Sequence, residues 1–204
     1  MSNNKINLDP KYIVRLTITL FITCMVVAGL LGFVNSITKD KIAAINWEKT
    51  VTAMKAVVAD PDNTEFLDAM ELNDEMHAAA SVGGSLDSIY EAQVGGQTVG
   101  YAIKVVASGS QGNIEMMVGV DTEGTVTGVS IVSNKETAGI GSKVMDNENT
   151  ASGVGVLDQF QGKSAADGAL AVGTNVEAIS GATVSSKGVV SGVNAALAVA
   201  GVIG

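Results

Sequence analysis

Apolar and polar residues divide the chain into one long apolar run and a domain of shorter, mixed segments. No charged residue occurs from Leu16 to Thr38. Because about 20 consecutive apolar residues cross the hydrocarbon core of a bilayer as a helix, residues 16–38 predict a transmembrane anchor. The alternative is a cleaved signal peptide, whose apolar region is usually about 7–15 residues long and ends in a small-x-small site. The length of the run favours a retained anchor.

Residues 39–60 predict an amphipathic helix that connects the anchor to the rest of the chain. Five of its apolar residues fall close to one stripe of a helix: they are Ile42, Ile45, Val51, Met54 and Val58. Asp60 and Pro61 predict its end, because proline cannot continue a helix. An acidic, loop-like stretch is expected to follow as far as about residue 88.

The domain predicted over residues 61–204 begins with strand patterns. Residues 88–94 and 98–108 predict a strand pair around Gly95 and Gly96, and residues 114–120 and 125–132 predict a hairpin across the sequence DTEG. The mixture of apolar and polar residues in these segments suits a sheet with one covered face.

Helical patterns follow the strands. Residues 154–161 (VGVLDQFQ) look helical, residues 169–173 (ALAVG) look like a short strand, and a helix is predicted after Gly181 from the spacing of Val189 or Val190, Val193 and Leu197. Strands followed by helices indicate an α+β domain. The overall prediction is a single N-terminal transmembrane helix, then a domain with an antiparallel or mixed sheet and packed helices.

The charges flanking the anchor predict its orientation. The basic residues Lys5, Lys11 and Arg15 precede the anchor, and Lys39 and Lys41 follow it, with Asp40 between them. Since cytoplasmic segments carry the excess of basic residues, residues 1–15 are predicted to be cytoplasmic and the domain to lie on the outer side of the cell membrane.

Composition excludes several kinds of site. The chain has one Cys and one His, whereas a zinc or iron–sulfur site needs about four ligands. His77 lies in a polar stretch and is expected at the surface, so no catalytic side chains and no metal site are predicted. The net charge of −9 repels nucleic-acid backbones, so no nucleic-acid partner is expected.

Residues 180–183 (SGAT) lie just before the last predicted helix. Backbone amides at a helix N-terminus form an anion site, Gly181 allows close approach of a ligand, and Thr183 adds a hydroxyl. Lys187, one helical turn later, adds a positive charge. The residues therefore predict binding of a phosphate group, while the alternative is an ordinary Ser/Thr helix cap.

The sequence AISGATVSS (residues 178–186) resembles the S/T-G-A-T flavinylation motif of the FMN-binding domain family. That family includes the G subunit of Rnf complexes and the C subunit of sodium-translocating NADH:quinone oxidoreductases. The resemblance implies FMN bound through a phosphoester to Thr183 and installed by a flavin transferase. It also implies that the cofactor contacts Ser180, Gly181, Ala182, Val184 and Lys187. Glu177 occupies the place of the family's Asp, six residues before the flavinylated Thr.

A second segment, NKETAGIGSKV (residues 134–144), resembles the family's x-E-T-P-G-L-G sequence. The matching residues, which the resemblance places at the cofactor, are Glu136, Thr137, Gly139 and Gly141, with Ile140 in the leucine position. Ala138 stands in the usual proline position.

The resemblance implies a membrane-anchored electron-transfer subunit of an Rnf-type ion-translocating ferredoxin:NAD oxidoreductase, coupled to Na⁺ or H⁺ movement. Such a chain is not a stand-alone enzyme; its partners are other membrane subunits and iron–sulfur subunits. The modest length favours Rnf over the C-type quinone-reductase subunit, which is the competing hypothesis within the family. Two further alternatives are a flavin domain for extracellular electron transfer outside any ion pump, and a non-flavinylated structural or binding module that holds the subunits of a membrane complex together, with SGAT as a helix cap.

Overall fold

The computed structural model describes residues 10–203, so the first nine residues of the predicted cytoplasmic stretch lie outside the described part. The chain divides into two compact units, Met1–Glu48 and Lys49–Gly204, which are described separately. The first helix, α1, extends over Pro10–Ala56. It is long and apolar enough to cross a membrane, and none of its most apolar window is buried. This agrees with the predicted anchor.

Threonines within the apolar run have their hydroxyl groups satisfied by the helix itself. The Thr19 hydroxyl donates to the Arg15 carbonyl at 2.9 Å, and the Thr38 hydroxyl donates to the Val34 carbonyl at 2.8 Å. A hydroxyl bonded one turn back leaves no unsatisfied donor in an apolar environment. Polar residues in this run are therefore compatible with a membrane span.

The connecting segment differs from its prediction. Residues 39–56 continue α1 without a break, and the helix ends at Ala56, four residues before Asp60. The predicted stripe is only partly buried: Met54 is covered, whereas Ile42 and Ile45 are each 50% exposed. Burial is confined to the last two turns and the residue after them, Val57.

Five strands form one antiparallel sheet in the order β1-β2-β3-β4-β5. Their bounds are β1 Glu65–Phe66, β2 Ser85–Val94, β3 Gln97–Ser108, β4 Asn113–Asp121 and β5 Val126–Ser133. Both predicted hairpins are confirmed. Gly95 and Gly96 both have positive φ (60° and 80°), as a two-residue turn matched to strand twist requires.

The sheet is covered on both faces, contrary to the expectation of one. One face packs against helices α2 (Asp74–Ala80) and α4 (Thr183–Ile203) through Ile103, Val105 and Met116. The other carries a smaller cluster that includes Met54, Val57, Ala102 and Met117.

Two glycines allow the end of α1 to reach the second face. Gly119 and Gly128 are directly opposite each other on β4 and β5, and a Cβ on either would meet the backbone of Val57. The Thr127 hydroxyl donates to the Val57 carbonyl there. Close backbone packing therefore requires glycine at position 119 and leaves little room for a side chain at position 128, which sequence patterns do not indicate.

The remaining elements are short. The predicted loop before residue 88 contains β1 and α2, and the helix-like residues 154–161 form only a 3-10 helix, Asp158–Phe160. Helix α3 spans Ser142–Met145, and a second 3-10 helix spans Ala165–Asp167. The predicted ALAVG strand is wrong: the amides of Thr174, Asn175 and Val176 all donate to the Ala171 carbonyl, which folds the segment into a turn.

Candidate functional site

The SGAT sequence lies where it was predicted, at the start of the longest helix of the second unit. Gly181 has φ = +81°, in the left-handed region that favours glycine. Ala182 is buried, and its amide donates to the Ile179 carbonyl at 3.0 Å. Thr183 is the first residue of α4. The glycine thus turns the chain and the buried alanine fixes the helix start.

The hydroxyl groups of this segment differ in their availability. The Ser185 hydroxyl donates to Glu136, and the Ser186 hydroxyl donates to the Ala182 carbonyl at 3.1 Å. Thr183 is exposed, and within residues 10–203 its hydroxyl has no hydrogen-bond partner. Thr183 is therefore the hydroxyl on the first turn of α4 that is available for reaction or for a ligand.

Thr183 lines a cleft of about 170 Å³. The cleft brings together many of the predicted residues, namely Glu136, Thr137, Ile140, Gly141, Gly181, Ala182, Thr183 and Val184, and adds Ser110 and Ser185. Three predicted residues, Ser180, Gly139 and Lys187, are outside this lining. Ile140 and Val184 are 52% and 59% exposed and give the cleft an apolar rim. The roles of all these residues at a cofactor stay predictions.

Glu136 is the centre of a hydrogen-bond network beside the cleft. Its Oε1 accepts from the backbone amides of Ser110 at 2.7 Å and Gln111 at 3.1 Å, and its Oε2 accepts from the Ser185 hydroxyl. The carboxylate thus joins the turn after β3 to the first turn of α4. Sequence reasoning missed Ser110, Gln111 and Ser185; the only signal was the glycine-flanked turn GSQG that follows the strand.

The two glycines of ETAGIG have different physical roles. Gly139 has φ = +77°, with open space around its Cα, and its amide donates to the Ser142 hydroxyl at 2.8 Å. Gly141 has an ordinary helical φ of −67°, but a Cβ there would overlap the Glu136 carboxylate and lie 2.8 Å from Ser185 Oγ. The first glycine is required by backbone conformation and the second by the position of Glu136.

Glu177, in the place of the family's Asp, anchors the segment before SGAT by hydrogen bonds. Its Oε2 accepts from the Ser152 amide at 3.2 Å, and hydrogen bonds from Ser152 and then Thr150 lower the pKa of its carboxyl group. The Gln159 side chain bonds both the amide and the carbonyl of Glu177, at 2.7 and 3.0 Å. These bonds join the segment before SGAT to the loop around residue 150.

A larger cavity of about 330 Å³ lies between residues 58–64, which follow α1, and strands β2–β5. Most of its polar side chains are bonded within the protein: Asp60 accepts from Asn63, Asp121 accepts from the Thr125 amide, and Thr127 donates to the Val57 carbonyl. Its lining is otherwise mainly apolar and offers no cluster of donors for an anion. The smaller cleft at Thr183 is therefore the better candidate site.

Comparisons with known proteins identify the family of the chain. The chain matches the FMN-binding domain family over residues 109–198, a span that contains both the ETAGIG and the SGAT segments. It is 32% identical to the G subunit of the Na(+)-translocating ferredoxin:NAD(+) oxidoreductase complex of Acetobacterium woodii, over 97% of this chain and 96% of the relative.

Two further relatives have similar names and lengths. Identity to the G subunit of the ion-translocating oxidoreductase complex of Methanosarcina acetivorans is 28%, over 93% of this chain and 95% of that protein. Identity to the G subunit of the proton-translocating ferredoxin:NAD(+) oxidoreductase complex of Clostridium ljungdahlii is 32%, over 93% and 92%. The predicted family is confirmed: the chain contains an FMN-binding domain and belongs to the family of G subunits of ion-translocating oxidoreductase complexes.

Proposed function

We propose that this protein is the membrane-anchored electron-transfer subunit of an ion-translocating ferredoxin:NAD⁺ oxidoreductase complex, with FMN esterified to Thr183. FMN supplies the redox chemistry, and the protein holds it and sets its surroundings. The observation that carries the proposal is the position of Thr183: an exposed hydroxyl without a partner in the described chain, at the first residue of a 21-residue helix, in a cleft opposite the ETAGIG turn.

The residues around Thr183 fit an FMN phosphate. The first amides of α4 have no acceptor within the helix, since no helical turn precedes them, and the helix dipole favours an anion there. Gly181 removes side-chain bulk from the approach. Lys187 lies outside the cleft lining but on the same exposed side of α4 as Thr183, so it adds positive charge nearby. One helix N-terminus and one nearby lysine can balance the single negative charge of a phosphodiester.

Attachment would exchange a phosphoanhydride bond for a phosphoester bond. Thr183 Oγ1 would bond to the FMN phosphorus of an activated donor, such as a flavin dinucleotide, and lose its proton to solvent, while the phosphoanhydride bond of the donor breaks and its nucleotide half leaves as a monophosphate. We assign the catalysis of this step to a flavin transferase, as the resemblance of the SGAT segment to the family's flavinylation motif implies; the carboxylate in the cleft lining, Glu136, is already bonded to two backbone amides and to Ser185.

The size of the cleft bears on what the flavin does. Pockets that enclose a ligand usually measure about 300–1,000 Å³, whereas this cleft measures about 170 Å³. It can hold only part of FMN, so the rest would stay at the protein surface. Exposure suits exchange of electrons with another carrier, and it suits binding of a separate substrate poorly.

The family supports a proposal for location and partners. The relatives are named as subunits of ion-translocating complexes, and α1 offers one candidate membrane span. We propose that residues 16–38 form the anchor, residues 39–60 the connection and residues 61–204 the flavin domain. The N-terminus would be cytoplasmic and the flavin domain on the outer side. Further membrane subunits and iron–sulfur subunits would be its partners.

The test is covalent flavin on the full-length protein. Wild type, Thr183→Ala and the control Thr174→Ala, at an exposed loop threonine, are produced with a flavin transferase and examined by intact mass and in-gel fluorescence after denaturation. We expect one esterified FMN on wild type and on Thr174→Ala, and none on Thr183→Ala. Wild type without an adduct would contradict the proposal.

A further inference from the structure

Both oxygens of the Glu136 carboxylate, which itself lines the cleft, are hydrogen-bonded within the protein. Each oxygen has a donor within the chain: two backbone amides on Oε1 and the Ser185 hydroxyl on Oε2. The glycines on either side leave room for it, because a Cβ at Gly109 would overlap Oε1 and a Cβ at Gly141 would overlap Oε2. Three segments that are distant in sequence therefore converge on one side chain.

These hydrogen bonds suit a residue that holds the cleft in place better than a residue that binds the ligand directly. A carboxylate that directly faced a phosphate would repel it, whereas three donors aimed at Glu136 offset its charge. Two of the contacting residues, Ser110 and Ser185, themselves line the cleft with Thr183. Ser185 lies on the same first turn of α4 as Thr183, so a shift of the Ser185 contact would move the reacting hydroxyl.

We propose that Glu136 is a positioning residue for flavin attachment: by joining the Ser110–Gln111 turn to the first turn of α4, it fixes the cleft in which Thr183 reacts. The inference rests on the proposed function, because it concerns the attachment of FMN to Thr183. It assigns Glu136 to the protein framework of the cleft, whereas the family resemblance places it at the cofactor.

Two substitutions separate the bonding role from the charge. Glu136→Ala removes all three hydrogen bonds. Glu136→Gln keeps an oxygen that can accept from the two amides and gains an NH₂ group that can donate to Ser185 Oγ. Asn194→Ala is the control for general loss of stability. Its side chain bonds both the amide and the carbonyl of Leu170, at 2.9 and 2.8 Å, about three turns along α4 from Thr183.

The experiment uses the full-length chain in detergent. Hydrogen exchange by mass spectrometry reports protection of residues 109–112 before flavin is added. The rate of FMN attachment is then measured with purified flavin transferase and flavin dinucleotide, with unfolding temperatures recorded alongside. We expect Glu136→Ala to lose protection at residues 109–112 and to attach FMN ~10-fold more slowly, since small misplacements of a reacting group have effects of this order. Glu136→Gln and Asn194→Ala should attach FMN at close to the wild-type rate.

Three results would overturn the inference. The first is attachment to Glu136→Ala at the wild-type rate, and the second is an equal slowing in Asn194→Ala, which would make the effect one of general stability. The third is unchanged protection of residues 109–112 in Glu136→Ala. If wild type itself accepts no FMN, the proposed function fails and the positioning role fails with it. Hydrogen exchange on the unflavinylated protein separates failure of the proposed function from failure of the Glu136 contact, because protection of residues 109–112 reports that contact independently of FMN.

Discussion

Gly141→Ala tests the idea that this glycine exists to make room for Glu136. An added Cβ would overlap Glu136 Oε2 and lie 2.8 Å both from Glu136 Cβ and from Ser185 Oγ. The carboxylate would have to move, which would weaken its bonds to the Ser110 and Gln111 amides. Overpacking and weakened hydrogen bonds together should destabilise the domain by about 2 kcal/mol. In a domain of this size that is a fall of roughly 4–8 °C in unfolding temperature.

Gly139→Ala is the matched comparison within the same motif. Its φ of +77° disfavours any side chain, but no atom lies within 4 Å of the added Cβ. We expect a loss of about 1–2 kcal/mol from backbone strain alone. Because the two losses are similar in size, the single substitutions cannot distinguish steric overlap from backbone strain. The coupling energy between each glycine substitution and Glu136→Ala does distinguish these causes.

The assay is a double-mutant cycle on full-length protein, followed by thermal unfolding. In a Glu136→Ala background the overlap with the carboxylate disappears, so Gly141→Ala should become less destabilising by about 1 kcal/mol, whereas Gly139→Ala should be unchanged. Additive losses for Gly141 and Glu136 would refute the steric explanation. So would equal coupling of both glycines to Glu136.

Two further predictions concern the rest of the domain. Gly119→Ala should destabilise the domain by about 3 kcal/mol, because the new Cβ would overlap the Val57 carbonyl and lie 2.9 Å from the Val57 Cβ. The control Gly201→Ala, in open space on a helix, should be neutral or stabilising. Equal melting temperatures for the two variants would contradict this prediction. Hydrogen bonds hold the pKa of Glu177 below its ordinary value of 4.5, so its contribution to stability is present above that pH and is lost as pH falls through the lowered pKa. Glu177→Gln should therefore flatten the fall in melting temperature below about pH 4.5, an effect that the exposed-site control Glu71→Gln should not reproduce.

Local patterns were enough to predict strands β2–β5 and the start of the last helix, although they missed the two-residue β1. The Gly95–Gly96 pair gives the β2–β3 turn both of the positive φ angles that it requires. In α4 the residues Val189, Val193 and Leu197 all face the core, as their spacing predicts. Where a residue's role depends on its immediate neighbours, the sequence carried the information.

Contacts between distant segments could not be predicted in this way. Glu136 meets Ser185 across 49 residues, and Thr127 meets Val57 across 70. No periodicity encodes either contact. The resemblance to FMN-binding domains drew attention to Glu136 but gave it the role of contacting the cofactor. The hydrogen bonds support a role in the framework, and they explain why Gly141 must be glycine.

The chain has a net charge of −9, yet the proposed ligand is an anion, so the site must reconcile the two. Carboxylates flank the cleft segment: Glu136 contacts its first helical turn, and Glu177 lies six residues before Thr183. Each accepts hydrogen bonds from the backbone and from serine hydroxyls. Donors bound in this way offset the negative charge locally. The start of α4 then remains the nearby source of positive potential at Thr183. An acidic protein can thus hold a phosphodiester without a basic cluster, provided that these carboxylates stay bonded to the protein.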